Sequence, residues 1–579
     1  TQLINTHGAR VIDLRDRAGW SESGQTAGPK MAALVADAQF TAPAARSIDI
    51  PSSGTVLVLG SGEPAQDAAR QLGQALSVTL LLDQETEPPL DGAYDLVTGK
   101  LRKARGSLGN FQVTIDMLRQ VDPAGRGPLG FTAPRDGAVS ECDIILDLRA
   151  APALFPAPHK RDGYFRADPG DPLAVARAVF DASHMVGTFE KPLYVKLDEH
   201  LCAHSRASQT GCTRCLDACP TGAITPDGEH VAVDPNICAG CGACSALCPS
   251  GAISYDAPAP ETLFRRMHNL AQVYAKAGGG VPQLLIHDED LGAEMISLNA
   301  RHGRGLPGDV IPLALENIGL FGHAEALAAL AAGFGHVHIL LSPKADRDVL
   351  EREAALTGAL LDAGRLTLHD ISDPDDLTDA VSTPAEAAAR DTILPLGRRR
   401  EVTRLALKAL RPDADAPIPL PKGAPYGAVL VDTDACTLCL ACAGLCPSGA
   451  LGDNPDMPQL RFQESACLQC GLCANVCPEN AITLVPQMDP RDEAMSQKVL
   501  NEEEPFACIE CGKLFGVKST IERIAAQLEG KHPMFAQSAQ GRMIRMCDDC
   551  RVRAQMHSED NPFAAGPRPR TRTTDDYLN

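Results

Sequence analysis

The strongest constraint on this chain is a spacing that it repeats, C-x2-C-x2-C-x3-C-P. It occurs at Cys238, Cys241, Cys244 and Cys248 before Pro249, at Cys436, Cys439, Cys442 and Cys446 before Pro447, and at Cys467, Cys470, Cys473 and Cys477 before Pro478. Three thiolates on one tight loop converge on a single centre, while the fourth is carried off by the next turn of chain. In a large chain such CxxC clusters read as metal ligands and not as a disulfide framework. Of the 21 cysteines, 20 lie in clusters; only Cys142, in "SECDIILDLR", stands alone, as a small buried hydrophobe would.

A fourth run is incomplete. "QTGCTRCLDACPTGAI" supplies Cys212, Cys215 and Cys219 before Pro220, but Gln209 stands where the first cysteine belongs. Cys202 is the nearest thiol, on a segment long enough to loop back; His204 and a three-iron cluster are the alternatives.

Each pair of runs, with the "GAIT", "GAIS", "GAL" and "NAIT" strands behind them, resembles a bacterial two-cluster ferredoxin. The resemblance implies crossed ligation and four 4Fe-4S clusters in two modules. Cluster one would take Cys202, Cys212, Cys215 and Cys248; cluster two Cys238, Cys241, Cys244 and Cys219. Cluster three would take Cys436, Cys439, Cys442 and Cys477, and cluster four Cys467, Cys470, Cys473 and Cys446. Such centres pass single electrons, at potentials from about −700 to +450 mV.

The last four cysteines, Cys508 and Cys511 in "CIECGKLFG" and Cys547 and Cys550 in "MCDDCR", form two CxxC knuckles. Four thiolates suit a structural zinc ion, with a rubredoxin-type iron as the rival. The knuckles lie farther apart than the roughly 15 to 20 residues of the simplest pattern, but "KSTIERIAAQLEGK" fills part of the gap with a helix on which Ile521, Ile524, Ala525 and Leu528 share a face.

Between residues 54 and 83, "GTVLVLGSGEPAQDAARQLGQALSVTLLLD" reads as a buried strand, a glycine turn, an amphipathic helix and a second strand ending at Asp83. Gly60, Gly62 and Ala65 match G-x-G-x-x-[GA], and Asp83 stands where an acidic side chain takes ribose hydroxyls, which suits a Rossmann-like domain with NAD(P) or FAD. Glu63 argues the other way, since its charge at the turn repels a pyrophosphate. Two readings stand, a dinucleotide site or glycines kept for tight packing, and Glu63 favours packing.

A second α/β pattern follows the first ferredoxin pair, with Leu284 to Ile286, Val310 to Leu315 and Val337 to Leu341 as buried strands. Its "ENIG" and alanine-rich passage is similar to the small α/β iron-sulfur subunit that links hydrogenases to heterodisulfide reductases. The cysteines of that family are absent here, which implies a docking or structural element. His287, His302, His323, His336 and His338 show no ligand spacing and are read as ordinary residues.

The expected chain is therefore multidomain, mixing α/β and α+β parts. An N-terminal segment (1–50) leads to a Rossmann-like α/β domain (51–195), ferredoxin module 1 (196–260) and a second small α/β domain (261–410). A proline-rich linker (411–427), ferredoxin module 2 (428–490), a four-cysteine zinc-knuckle region (491–555) and a flexible tail (556–579) complete it. This order, with the "CIECGK" and "CDDCR" endings, resembles the large cytoplasmic iron-sulfur proteins found in proteobacteria alongside molybdenum- or tungsten-dependent formate dehydrogenases.

A formal charge of −21 argues against nucleic acid as a partner, because so acidic a chain releases no counterions from a polyanion. No apolar run approaches the roughly 18 to 20 residues of a membrane span, and "TQLINTHGARVIDLRDRAGW" lacks the layout of a secretory signal, so a cytoplasmic protein is expected. Two functional expectations remain. One is an electron wire without a substrate, relaying electrons to or from a partner such as formate dehydrogenase. The other is an oxidoreductase subunit whose first α/β domain takes hydride from a nicotinamide or flavin and feeds the clusters singly.

Overall fold

The computed structural model describes residues 11–84, 92–122, 130–361, 364–528 and 538–557; of the expected tail, 558–579 lie outside them. The chain divides into two compact units, Thr1–Pro425 with Pro486–Pro490, and Tyr426–Val485 with Arg491–Asn579.

The first unit carries two sheets. One has seven strands, β1 (Thr55–Leu59), β2 (Ser77–Leu82), β3 (Asp95–Arg105), β4 (Phe111–Gln120), β5 (Ala138–Cys142), β6 (Ile144–Asp147) and β7 (Tyr164–Arg166), in the order β5-β4-β3-β2-β1-β6-β7. Strands β3, β2, β1, β6 and β7 run parallel, and β4 and β5 extend the sheet antiparallel. The apolar run of β1 is continuous because both of its faces are covered. Val56 and Val58 meet Ala65, Ala68, Ala69 and Leu72 on helix α1 (Gly62–Leu72), while Leu57 and Leu59 meet Phe111, Val113 and Ile115. The segment "ECDIILDLRA" holds the end of β5 and all of β6. Asp143 breaks it, its carboxylate accepting from the Ser53 amide at 2.8 Å, the Ser53 hydroxyl at 2.6 Å and the Thr55 amide at 3.1 Å. Burial, then the field of Asp143, raises the Cys142 thiol to about 12, as for an inert core residue.

The second sheet has four parallel strands, β8 (Gln283–Asp288), β9 (Val310–Leu315), β10 (His336–Leu340) and β11 (Leu366–His369), in the order β9-β8-β10-β11. Around it lie α2 (Pro260–Lys276), α3 (Leu291–His302), α4 (His323–Ala332), α5 (Arg347–Leu360) and α6 (Arg399–Leu410). Helix α4 is buried along its whole length, which its alanines permit by letting α2 and α6 approach closely. Its polar residues are paired internally, His323 with Glu353 at 2.5 Å and Glu325 with Arg399. The N-terminal helix Gly28–Gln39 belongs with this second sheet. Asp37 takes Arg266 of α2 at 2.8 Å, and buried Lys30 donates to the Pro307 carbonyl at 3.0 Å.

Module 1 is framed by a pairing of Val195–Leu197 with Ile253–Tyr255 and by a hairpin of Ile224–Asp227 and His230–Val233. From the proline-rich stretch, Ile418–Pro419 pairs with Gln487–Met488 within the same unit. In the second unit, Leu451–Asp453, Gln459–Phe462 and Lys498–Glu502 form a sheet, and the helix expected from "KSTIERIAAQLEGK" spans Lys518–Leu528. That helix is tied to module 2 by the Thr520 hydroxyl on the Thr437 carbonyl (2.9 Å) and by Arg523 on Glu479 (2.9 Å). No helix among the described residues is long and apolar enough to cross a membrane.

Candidate metal centres

Each complete run wraps its loop with two left-handed residues at matching places: Gly240 and Gly242 between Cys238 and Cys244, Leu438 and Leu440 between Cys436 and Cys442, Gln469 and Gly471 between Cys467 and Cys473. That conformation costs a non-glycine residue about 1–2 kcal/mol, and it turns successive backbone N–H groups inward, as an anion requires. In the incomplete run the left-handed residues are Ala207 and Ser208 instead. They close a tight hairpin, Ser205–Arg206 on Gln209–Thr210, which leaves Gln209 exposed and returns Cys202 to the site. The Cys212 amide donates to the Ala203 carbonyl at 2.9 Å.

In each module the buried thiols lie among thiols of both runs. Burial raises Cys215 to about 12, and the fields of Cys248, Cys212 and Cys202 add to it. Cys244 is raised well above the usual range by burial, then by Cys241, Cys238, Cys219 and Cys215. In module 2, burial raises Cys442 to about 11, with Cys439, Cys436 and Cys477 adding to it, and Cys473 to about 12, with Cys467, Cys470, Cys446 and Cys442 adding to it. Thiols so placed are costly to ionise side by side and give up their protons readily only to a cation. Short helices within the runs, ending just before the last cysteine of each, pack on each other in both modules.

A second layer was visible in the sequence but is easily passed over. The residue after each CP is Thr221, Ser250, Ser448 or Glu479, and the three hydroxyls meet the sulfurs of Cys219, Cys248 and Cys446 at 3.6, 3.7 and 3.7 Å. Amides of Ile253, Leu451 and Ala481 donate to Cys248, Cys446 and Cys477 at 3.3–3.4 Å. Such bonds neutralise sulfur charge and set reduction potential.

Cys508, Cys511, Cys547 and Cys550 form a tighter group, with all four sulfurs within 4.8 Å of one another and Cys511 and Cys547 at 3.6 Å. Sulfurs at about 2.3 Å from one tetrahedral ion stand about 3.8 Å apart, so this group has the dimensions of a mononuclear site. Burial acts to raise the Cys508 thiol, but the amides of Cys547, Cys511 and Glu510 outweigh it and lower the thiol to about 6, ready to bind as thiolate.

Residues 210–252 and 435–482 each match the family model of a 4Fe-4S dicluster domain. Both segments are 4Fe-4S dicluster domains. The matched residues span all four runs, including the incomplete one, whose Cys202 lies outside the match. No curated protein is similar enough to the chain to match it. The dicluster domains thus stand within a larger chain whose other parts are read from structure alone.

The loop of the first dicluster domain is seated on the second sheet. A Cβ added at Gly242 would lie 2.5 Å from the Leu320 Cβ, and one at Gly319 would lie 2.7 Å from the Cys241 carbonyl oxygen. Gly242→Ala is expected to cost roughly 2 kcal/mol more in urea unfolding than Gly251→Ala, which shares the left-handed backbone but meets nothing within 4 Å. Equal losses would mean that this contact holds nothing.

At the glycine turn, Gly60 is packed: an added Cβ would meet Ala65 Cβ at 2.7 Å and Leu148 Cβ at 3.3 Å. Gly62 begins α1 with a left-handed φ of 69°, an added Cβ there meeting only Pro64 Cδ at 3.8 Å, Glu63 lies in the first turn, and Asp83 is exposed just past β2. The histidines keep structural company: His338 bonds Gln283 and His369, and His336 bonds Thr367.

Proposed function

We propose that the protein is an electron carrier holding four 4Fe-4S clusters, ligated as the sequence pairs them, together with one structural zinc ion at the C-terminal cysteines. The observation that carries this is the match of residues 210–252 and 435–482 to 4Fe-4S dicluster domains, whose cysteine spacing supports three thiols from one run and one from its partner at each cluster. Each cluster, when bound, supplies one-electron chemistry; the chain's own part is to hold sulfurs, aim N–H groups at them and exclude water. The resemblance of domain order supports a partner such as a molybdenum or tungsten formate dehydrogenase, or the system that matures it, in the cytoplasm.

The alternative, an oxidoreductase subunit using NAD(P)H or flavin, is supported by the order of the parallel strands, which separates at β1 and β6 as in doubly wound nucleotide folds. Against it stand the filled space at Gly60 and the charge of Glu63. Anaerobic titration of iron-replete protein with NADH, then NADPH, followed by visible absorption, is expected to leave the clusters oxidised, with dithionite bleaching them. Bleaching by a nicotinamide would overturn the carrier reading and make Gly60, Gly62, Ala65 and Asp83 a working site.

A further inference from the structure

The second sheet opens a crevice of about 380 Å³ at the carboxyl ends of its strands. From β8 the chain turns to β9 on one side, then crosses to β10 on the other, so the loops part above β8, where open parallel sheets receive ligands. One wall is Cys241 of the first dicluster domain. The crevice therefore sets a molecule seated on this domain beside Cys241, a residue of the cysteine loop.

Its charge selects the occupant. Five carboxylates line it against two lysines. Helices α3 and α5 begin at its floor, but their first turns lie behind Asp290 and Asp346, and Asp346 takes the Val349 amide at 3.3 Å. Acidic caps at both helix N-termini repel the phosphate that a nucleotide would place there. Asp290 is neutralised by Lys344 at 3.0 Å, and Asp288 accepts from the Gly292 amide at 2.6 Å. Lys160 lines the crevice together with Cys241. Glu289 and Glu316 remain, both exposed; burial and the field of Glu289 raise the Glu316 carboxyl. Two carboxylates set against each other at the mouth of a cleft are relieved by a cation entering from outside.

We propose that this crevice docks a basic loop of a redox partner protein, held by Glu289 and Glu316, and that electrons leave or enter module 1 through Cys241. The inference rests on the carrier reading above. One electron passes per encounter, the cluster at Cys241 being oxidised and the partner's acceptor reduced, with no bond or proton transferred.

The probes are ferric cytochrome c, a basic haem protein, and ferricyanide, an anionic acceptor, each mixed with the dithionite-reduced full chain after removal of excess reductant. At about 10 mM ionic strength, where the screening length is about 30 Å, Glu289→Gln/Glu316→Gln is expected to slow cytochrome c reduction about fivefold. The effect should shrink at about 0.15 M salt. Calorimetric binding of redox-inert, zinc-substituted cytochrome c should weaken in parallel, and ferricyanide reduction should not slow. The same change of charge at the exposed Asp391 and Asp415, outside the crevice, should have little effect.

Equal loss in the two charge pairs, or none in either, overturns the docking site while leaving the carrier intact. Binding of flavin mononucleotide that disappears in Glu289→Gln/Glu316→Gln overturns the choice of occupant. A chain that passes no electron to either acceptor overturns the carrier reading itself.

Discussion

Replacing Cys202 with serine is expected to remove about a quarter of the protein's iron, one cluster of four, whereas replacing Gln209 with alanine removes none. The reason lies in the hairpin between them. Its turn at Ala207 and Ser208 lets the Gly211 amide bond the His204 carbonyl at 2.7 Å, and Arg206 bonds the Cys202 carbonyl at 3.1 Å. Cys202 is thereby fixed at 6% exposure in the core of module 1, packed with Cys215 and Cys244 and with the partly buried Cys219 and Cys248, while Gln209 is exposed. His204 is the rival at this corner: its Nδ1 meets the Cys212 carbonyl at 3.1 Å, and in metal-ligating histidines such a bond orients Nε2 toward the metal. Iron analysis with low-temperature EPR of the reduced protein checks the assignment. Full iron and an unchanged spectrum in Cys202→Ser would return the first corner to His204 or to a three-iron cluster.

That corner also shows what a sequence can carry. The spacing of the three complete runs is enough to assign the cysteine loops, because each is local chain geometry repeated three times. The missing cysteine could be placed only by noting that Cys202 was near enough, and not that a hairpin would return it. The break at Asp143 was hidden for a related reason. "CDIIL" is apolar enough for one strand, and only the carboxylate's bonds to Ser53 and Thr55, far away in the chain, split it.

Contacts between distant segments were least legible. "ENIG" stood out only by its resemblance to a family passage, and that Gly319 and Leu320 would seat the loop of Cys241 and Gly242 depends on how two separate domains pack. The crevice beside Cys241 follows from strand order, which local pattern does not reveal. At the glycine turn the conflict between fingerprint and Glu63 was plain in the sequence, and the structure adds the filled space at Gly60 on the side of packing.

Removing the ion from the C-terminal site is expected to unfold the segments around Cys508 and Cys547 while leaving module iron in place. The apolar support there among the described residues is slight: Met546 is buried among the cysteines, with Phe515, Met543 and Ala554 partly buried around them. A few such side chains contribute roughly 1.5–3 kcal/mol each, against about 1–2 kcal/mol of backbone entropy for every residue ordered. The ion pairs joining the knuckles, Lys513 with Asp549 and Arg542 with Glu510, are exposed and add little. Metal bound by four thiolates supplies about 10–16 kcal/mol at neutral pH, which decides the balance. The strand Lys498–Glu502 and helix Lys518–Leu528 are anchored separately, through Gln459 on Glu502 at 2.7 Å and Ser519 on Glu503 at 2.7 Å, and should persist. Metal analysis of the parent should find one zinc per chain. Cys547→Ser should lose it and expose the segment beyond Met543 to limited proteolysis, with cluster absorption retained. One extra iron in place of zinc would make the site rubredoxin-like, and unchanged protease resistance in Cys547→Ser would mean that packing, and not metal, holds this region.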